Sequence, residues 1–284
     1  MKPFVSIIAI LLTAAQLNGQ SMAQSSAVPE QISAASKTTR MNIYIISKDK
    51  KFEFFPFTVK ARAFVKSIFN HKRMRVVVAS DSKLASAKVK KILNKHDAVI
   101  GNLWFDSHGL YKNGFSSFSI GTDNFNYKNI DDSTHNLFLK EIAAYTDSKT
   151  KVGLGSCYGG ASFTHPVSGK PMHGDSLMMG VGKIFSGSTI YASESWVMMK
   201  PGIFSDNFGF AGYPLGKRYR KDYWRPVWDH MGEWHSYTAA EGIIKNVNTV
   251  ALNHIGEIKV RTRTYLSLDK AQRKYDKAIA SLMP

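Results

Sequence analysis

Cysteine is almost missing from this chain: Cys157 is the single one among 284 residues. No intramolecular disulfide can form, so its thiol is either buried or used. Acidic residues are also scarce. Twenty-one Asp and Glu face 38 Lys and Arg, a formal charge of +17. That imbalance favours anionic surroundings and says nothing about fold. Past the amino terminus, no segment approaches about 20 uninterrupted apolar residues, which excludes a membrane-spanning helix from the expectation. No internal repeat is present. Neither is a D-x-D-x-D-G calcium loop or an H-E-x-x-H zinc helix.

What is there begins with a leader pattern. Lys2 precedes an apolar run over residues 4–17, and Ser21-Met22-Ala23 places small residues before Gln24. This reads as a secretory signal over 1–23, with export to the periplasm or the medium. The Ser/Ala/Gln-rich stretch 24–40 reads as a linker or pro-segment. An apolar content of 44% leaves ample material for a packed core beyond it.

From residue 41 strand and helix patterns alternate. Strands are expected at 41–47, 73–80, 97–107, 151–156 and 188–193. Helices are expected at 58–69, 82–93, 134–146, 175–185 and 267–282, and a Gly-bounded hairpin at 114–126. Repeated βα units of this length predict an α/β fold: a mainly parallel sheet flanked by helices in three layers. A core is expected over 41–195. The aromatic-rich remainder, 196–284, is expected to pack on it as an extension.

Two expected strand ends carry chemistry. One is "NLWFDSHG", ending in His108-Gly109; the other is "VGLGSCYGG", ending at Cys157. On neighbouring parallel strands both would reach the same carboxyl edge, where α/β folds place their sites. An imidazole beside a thiol can take its proton and later protonate a leaving amine. The amides of Gly109 and Cys157 would face the oxyanion of an acyl-transfer intermediate.

This pair of motifs resembles the caspase-like clan of cysteine peptidases, which includes caspases, clostripain, gingipains, legumain and toxin autoprocessing domains. The resemblance covers about residues 41–195. His108 precedes Cys157 by 49 residues, close to the caspase interval of about 50. Of the caspase signature Q-A-C-x-G, Cys157 and Gly159 match, while Gly155 and Ser156 replace Gln and Ala. The resemblance implies a caspase-like sandwich and an endopeptidase with His108 as catalytic base, Cys157 as nucleophile and Gly109 as oxyanion amide. It also makes Glu194 and Asp175 candidates for an acidic substrate pocket. No cofactor and no metal follow from it.

Three other readings stay open. "GSCYG" also fits a nucleophile elbow with cysteine in place of serine, as in dienelactone hydrolase or a class I glutamine amidotransferase; that reading needs a helix immediately after Cys157 and a downstream His. The fold can be catalytically silent and bind anionic envelope polymers or other surface partners. Or Cys157 is a buried core residue. Asp229, His230, Glu233 and His235 form a metal-like cluster, but their spacing is not that of a helical site, so no metal is expected. His165 and His173 read as exposed loop residues. The segment 216–228 interleaves basic and aromatic residues. For an exported chain this suggests anionic envelope material or the rim of a peptide groove, with no specific nucleic-acid partner.

Overall fold

The computed structural model describes residues 39–48, 68, 73–109, 115–164, 170–194, 196–199, 207–210, 213–214, 224–225, 234–247, 249–253 and 255–261. The leader, most of the linker, the expected helices at 58–69 (Ile68 apart) and 267–282, most of the 216–228 segment, His165 and His230 lie outside them.

The element order begins β1 (Thr39–Ser47), β2 (Met74–Ala79), α1 (Ser82–Lys95), β3 (Ala98–Asp106). A hairpin of β4 (Ser117–Ile120) and β5 (Asp123–Asn126) follows, then α2 (Leu137–Ala143), β6 (Lys151–Gly155), α3 (Gly174–Ile184) and β7 (Thr189–Ser193). Two short antiparallel pairs come next: β8 (Trp196–Met199) with β9 (Asn207–Phe210), and β10 (Tyr213–Pro214) with β11 (Trp224–Arg225). The chain continues with β12 (Trp234–Thr238), β13 (Ile244–Val247), β14 (Thr249–Leu252) and β15 (Ile258–Arg261).

Seven strands form the main sheet in the order β13-β12-β7-β6-β3-β1-β2. From β2 to β7 all neighbours are parallel; β12 and β13 add on antiparallel. The expected mainly parallel α/β sheet is therefore what the chain builds. The stretch expected to pack on the core supplies two strands of the sheet itself. The strand also starts at Thr39, two residues inside the expected linker, because Arg40 is anchored there by Asp147 at 2.6 and 2.8 Å.

Alternation decides which side each residue faces. Met41, Ile43 and Ile45 of β1, Leu103 and Phe105 of β3, and Val152 and Leu154 of β6 bury with apolar residues of α1, α2 and α3. In α1 those are Ala85, Val89 and Leu93, at helical spacing, under an Asp81 N-cap that accepts from the Leu84 amide at 2.7 Å. The opposite face buries Tyr44, Ile46, Trp104, Tyr191 and Trp234 against Val250, Leu252 and Ile258 of the β14–β15 hairpin. The layers are thus helices, sheet and hairpin.

A close local fit lies on β6. A Cβ on Gly153 would sit 2.3 Å from the Trp104 ring, and one on Gly155 2.4 Å from Trp104 Nε1. These two glycines make room for the indole, which also packs on Trp234 at 5.9 Å.

Candidate active site at the carboxyl edge

Strands β3 and β6 are parallel neighbours, and their last registered pair is Asp106 with Gly155. His108 and Cys157 each lie two residues further along. The two candidate residues therefore leave the sheet at the same edge, at the same level, from adjacent strands. The backbone closes the gap behind them. A Cβ on Gly109 would lie 1.9 Å from the Cys157 carbonyl oxygen, so glycine alone fits after His108. Cys157 itself is followed by Tyr158 in the left-handed region, φ 61°, and by a turn over 157–160. The next described helix, α3, begins only at Gly174. The helix that a nucleophile elbow needs directly after its nucleophile does not follow Cys157.

The thiol is partly buried. Tyr158, Ala161 and Met172 form a small buried cluster against which Cys157 and Phe163 pack. The Val197 carbonyl of β8 lies 4.0 Å from Sγ, placed to accept its proton. Burial pushes the thiol up to about 12. Hydrogen bonding with the backbone of Val197, of Cys157 itself and of Gly109 pulls the other way, while the Asp106 carboxylate adds to the rise. Both amides expected at an oxyanion therefore already act on the sulfur. Asp106 is itself pushed up, to about 6, by burial, against a lowering hydrogen bond donated by the Tyr44 hydroxyl.

The two candidate acids meet where the sequence did not place them. Glu194 extends past the end of β7, and its carboxylate lies 3.0 Å from His235 Nε2; both side chains are 8% exposed. Asp175, in the first turn of α3, approaches His235 Nδ1 at 3.6 Å. The same Nδ1 lies 3.0 Å from the Gly160 carbonyl. Register explains the meeting. His235 pairs with Ala192 across the antiparallel β7–β12 ladder, so Glu194, two residues on, shares its face. Burial alone would lower the imidazole's pKa. The Glu194 hydrogen bond and charge, the Asp175 charge and the Gly160 carbonyl outweigh it, and the net shift is upward. The cluster ties β7, β12, the start of α3 and the turn after Cys157 together. Gly160 is also bonded through its amide to the Ser193 carbonyl at 2.8 Å.

Of the two pocket candidates, Glu194 is buried and paired, while Asp175 is half-exposed. His173 is not a free loop residue. It is half-buried, precedes α3 with φ 54°, and stacks on Tyr127 at 4.2 Å. Among the described residues no group of three His, Cys, Asp or Glu could hold a metal ion. His235, first considered as a metal ligand, serves as an ion-pair partner. The clue was the strand-like "WHSYT", whose alternation puts His235 and Tyr237 on one face. No helix among the described residues is long and apolar enough to cross a membrane. No protein-family model matches the sequence, and no curated protein matches it.

Proposed function

We propose that the chain is an exported cysteine endopeptidase of the caspase-like clan, acting through His108 and Cys157. One observation carries the reading: adjacent parallel strands in register deliver His-Gly and a lone Cys to one sheet edge, with the Gly109 and Cys157 amides beside the sulfur. In the reaction, the imidazole takes the thiol proton and the sulfur attacks the scissile carbonyl carbon. The Gly109 and Cys157 N–H groups receive the oxyanion. The C–N bond breaks as the imidazolium returns the proton to the departing amine, leaving a thioester. Water, deprotonated by the same imidazole, then hydrolyses the thioester to a carboxylate and restores the thiol. Export by the residue 1–23 leader belongs to the same proposal.

A thiol held near 12 is neutral at pH 7 and a poor nucleophile. The proposal therefore includes activation: water and His108 reach the sulfur and relieve the burial that raises it. The same burial supports the second reading, a silent module of this fold that binds surface partners through its basic exterior.

The test is cleavage of a peptide library, and of the chain itself, by the purified mature protein beside Cys157→Ala and His108→Ala. The proposal expects cleavage that both substitutions abolish. Equal cleavage by wild type and Cys157→Ala, or none by any of them with and without bound peptide, sinks it.

A further inference from the structure

At the opposite edge of the sheet, where the parallel strands begin, the structure holds a cavity of about 490 Å³. Its size falls in the range of small-ligand sites, about 300–1,000 Å³. Five cations line it: Arg40, Arg73, Lys149, Lys151 and Lys259, against one carboxylate, Glu257. Two of the five are already neutralised. Arg40 is held bidentate by Asp147, and Lys259 pairs with Glu257 at 3.0 Å. Arg73, Lys149 and Lys151 form no salt bridge to a carboxylate among the described residues, although Arg73 lies near enough to Glu257 to help hold its pKa down; Lys151 Nζ reaches only the Ile258 carbonyl, at 3.4 Å.

The cavity is built on fixed parts. A β-bulge interrupts the β1–β3 ladder between Met41 and Asn42, where Gly101 is the extra residue. Bulges of this kind re-aim neighbouring side chains. Here the amide of Asn102 donates to Asn42 Oδ1 at 2.9 Å, while its own oxygen accepts from the Ile258 amide at 3.0 Å. Asn42 in turn donates to the Ile255 carbonyl at 2.7 Å. These bonds clamp the segment leading into β15 onto the sheet and make one wall. The floor is bare at Gly101, where a Cβ would lie 3.1 Å from Asn42 Oδ1.

We infer that this cavity binds a compact anion carrying at least two phosphate groups. Five cations against the carboxylates of Asp147 and Glu257 leave three positive charges uncompensated, spread over two segments, at Arg73 and at 149–151, and such a site calls for a ligand with more than one negative charge. A guanidinium beside ammonium groups suits tetrahedral oxyanions, since Arg bonds them bidentately and Lys as a point charge. This site lies away from Cys157 and does not rest on the peptidase reading.

The test is calorimetric titration of the full mature protein with sodium tripolyphosphate, beside vesicles of phosphatidylcholine with and without phosphatidylglycerol. The expected result is saturable one-site binding of tripolyphosphate that weakens as NaCl rises. Arg73→Glu with Lys149→Glu should lower the affinity at least tenfold. Lys83→Glu with Lys140→Glu removes as much charge from α1 and α2 and should change it less than threefold. Binding to anionic vesicles alone, lost in Arg73→Glu/Lys149→Glu, overturns the inference, since each phosphatidylglycerol headgroup carries a single phosphate. No saturable binding to either probe, or equal loss from both variant pairs, overturns the inference. Circular dichroism of each variant separates lost binding from lost fold.

Discussion

At the scale of single residues, His235 matters more than its place in an irregular stretch suggests. Its imidazolium stands between a buried glutamate, a half-exposed aspartate and a carbonyl of the Cys157 turn. Breaking a buried ion pair from one side leaves the other charge stranded, at a cost of about 3–5 kcal/mol. His235→Ala should therefore destabilise the fold by an amount in that range in urea unfolding. Adding Glu194→Gln to it should return part of the loss. Glu194→Gln alone keeps a hydrogen-bonding group of the same shape but removes its charge, so the His235 ring resonances should titrate at lower pH in NMR. An unchanged titration would mean that Glu194 does not set the charge of His235. Cys157 makes a second expectation at this scale. With its thiol at about 12, iodoacetamide should alkylate it slowly at pH 7. Asp106→Asn, which removes one of the charges raising it, should shift the alkylation profile toward lower pH.

Among the elements, β6 is tightly constrained. Gly153 and Gly155 press on Trp104 so closely that an added methyl has nowhere to go. Gly155→Ala should cost about 1–3 kcal/mol, the usual penalty of overpacking, and Trp104→Leu in the same chain should recover part of it in a double-mutant cycle. The alternation of "MNIYIIS" and the β-branched "RVVVA" made β1 and β2 readable, and the Asp81 cap with a 3.6-residue period made α1 readable. These signals are local. The place of β12 beside β7 was not readable, because sheet membership is settled by a partner more than 40 residues away. The same non-local pairing hid the site's second half. Glu194 and Asp175 stood out only as acids near the right loop, and nothing near them in sequence announced the histidine that joins them. The neighbouring ends of β3 and β6 were legible because each ends in a distinctive dipeptide. The setting of the thiol was not, since it depends on β8 bringing the Val197 carbonyl to it.

For the molecule as a whole, the shifted groups set a direction for stability against pH. His235 has a raised pKa in the folded state. Its contribution is complete below the unfolded-chain value, about 6.5, and is lost as pH climbs through the folded value. Asp106, raised to about 6, acts in the same sense: the folded state keeps its proton, and that advantage fades as pH passes 6. Asp147, lowered to about 2 by Arg40, stabilises above about pH 4 and loses that effect only in stronger acid. Thermal unfolding should therefore come at higher temperature at pH 5.5 than at pH 8, and Glu194→Gln should narrow the difference. The antiparallel addition of β12 also has a consequence in time. Contacts between distant segments form slowly, because the intervening chain must first be brought into place. A chain synthesised from its amino end has β1 through β7 in place before β12 arrives. Until then Glu194 and the turn after Cys157 lack the histidine that fastens them. The carboxyl-terminal third thus acts as a clock on the sulfur: whatever Cys157 does, its surroundings are complete only once the last strands have been delivered.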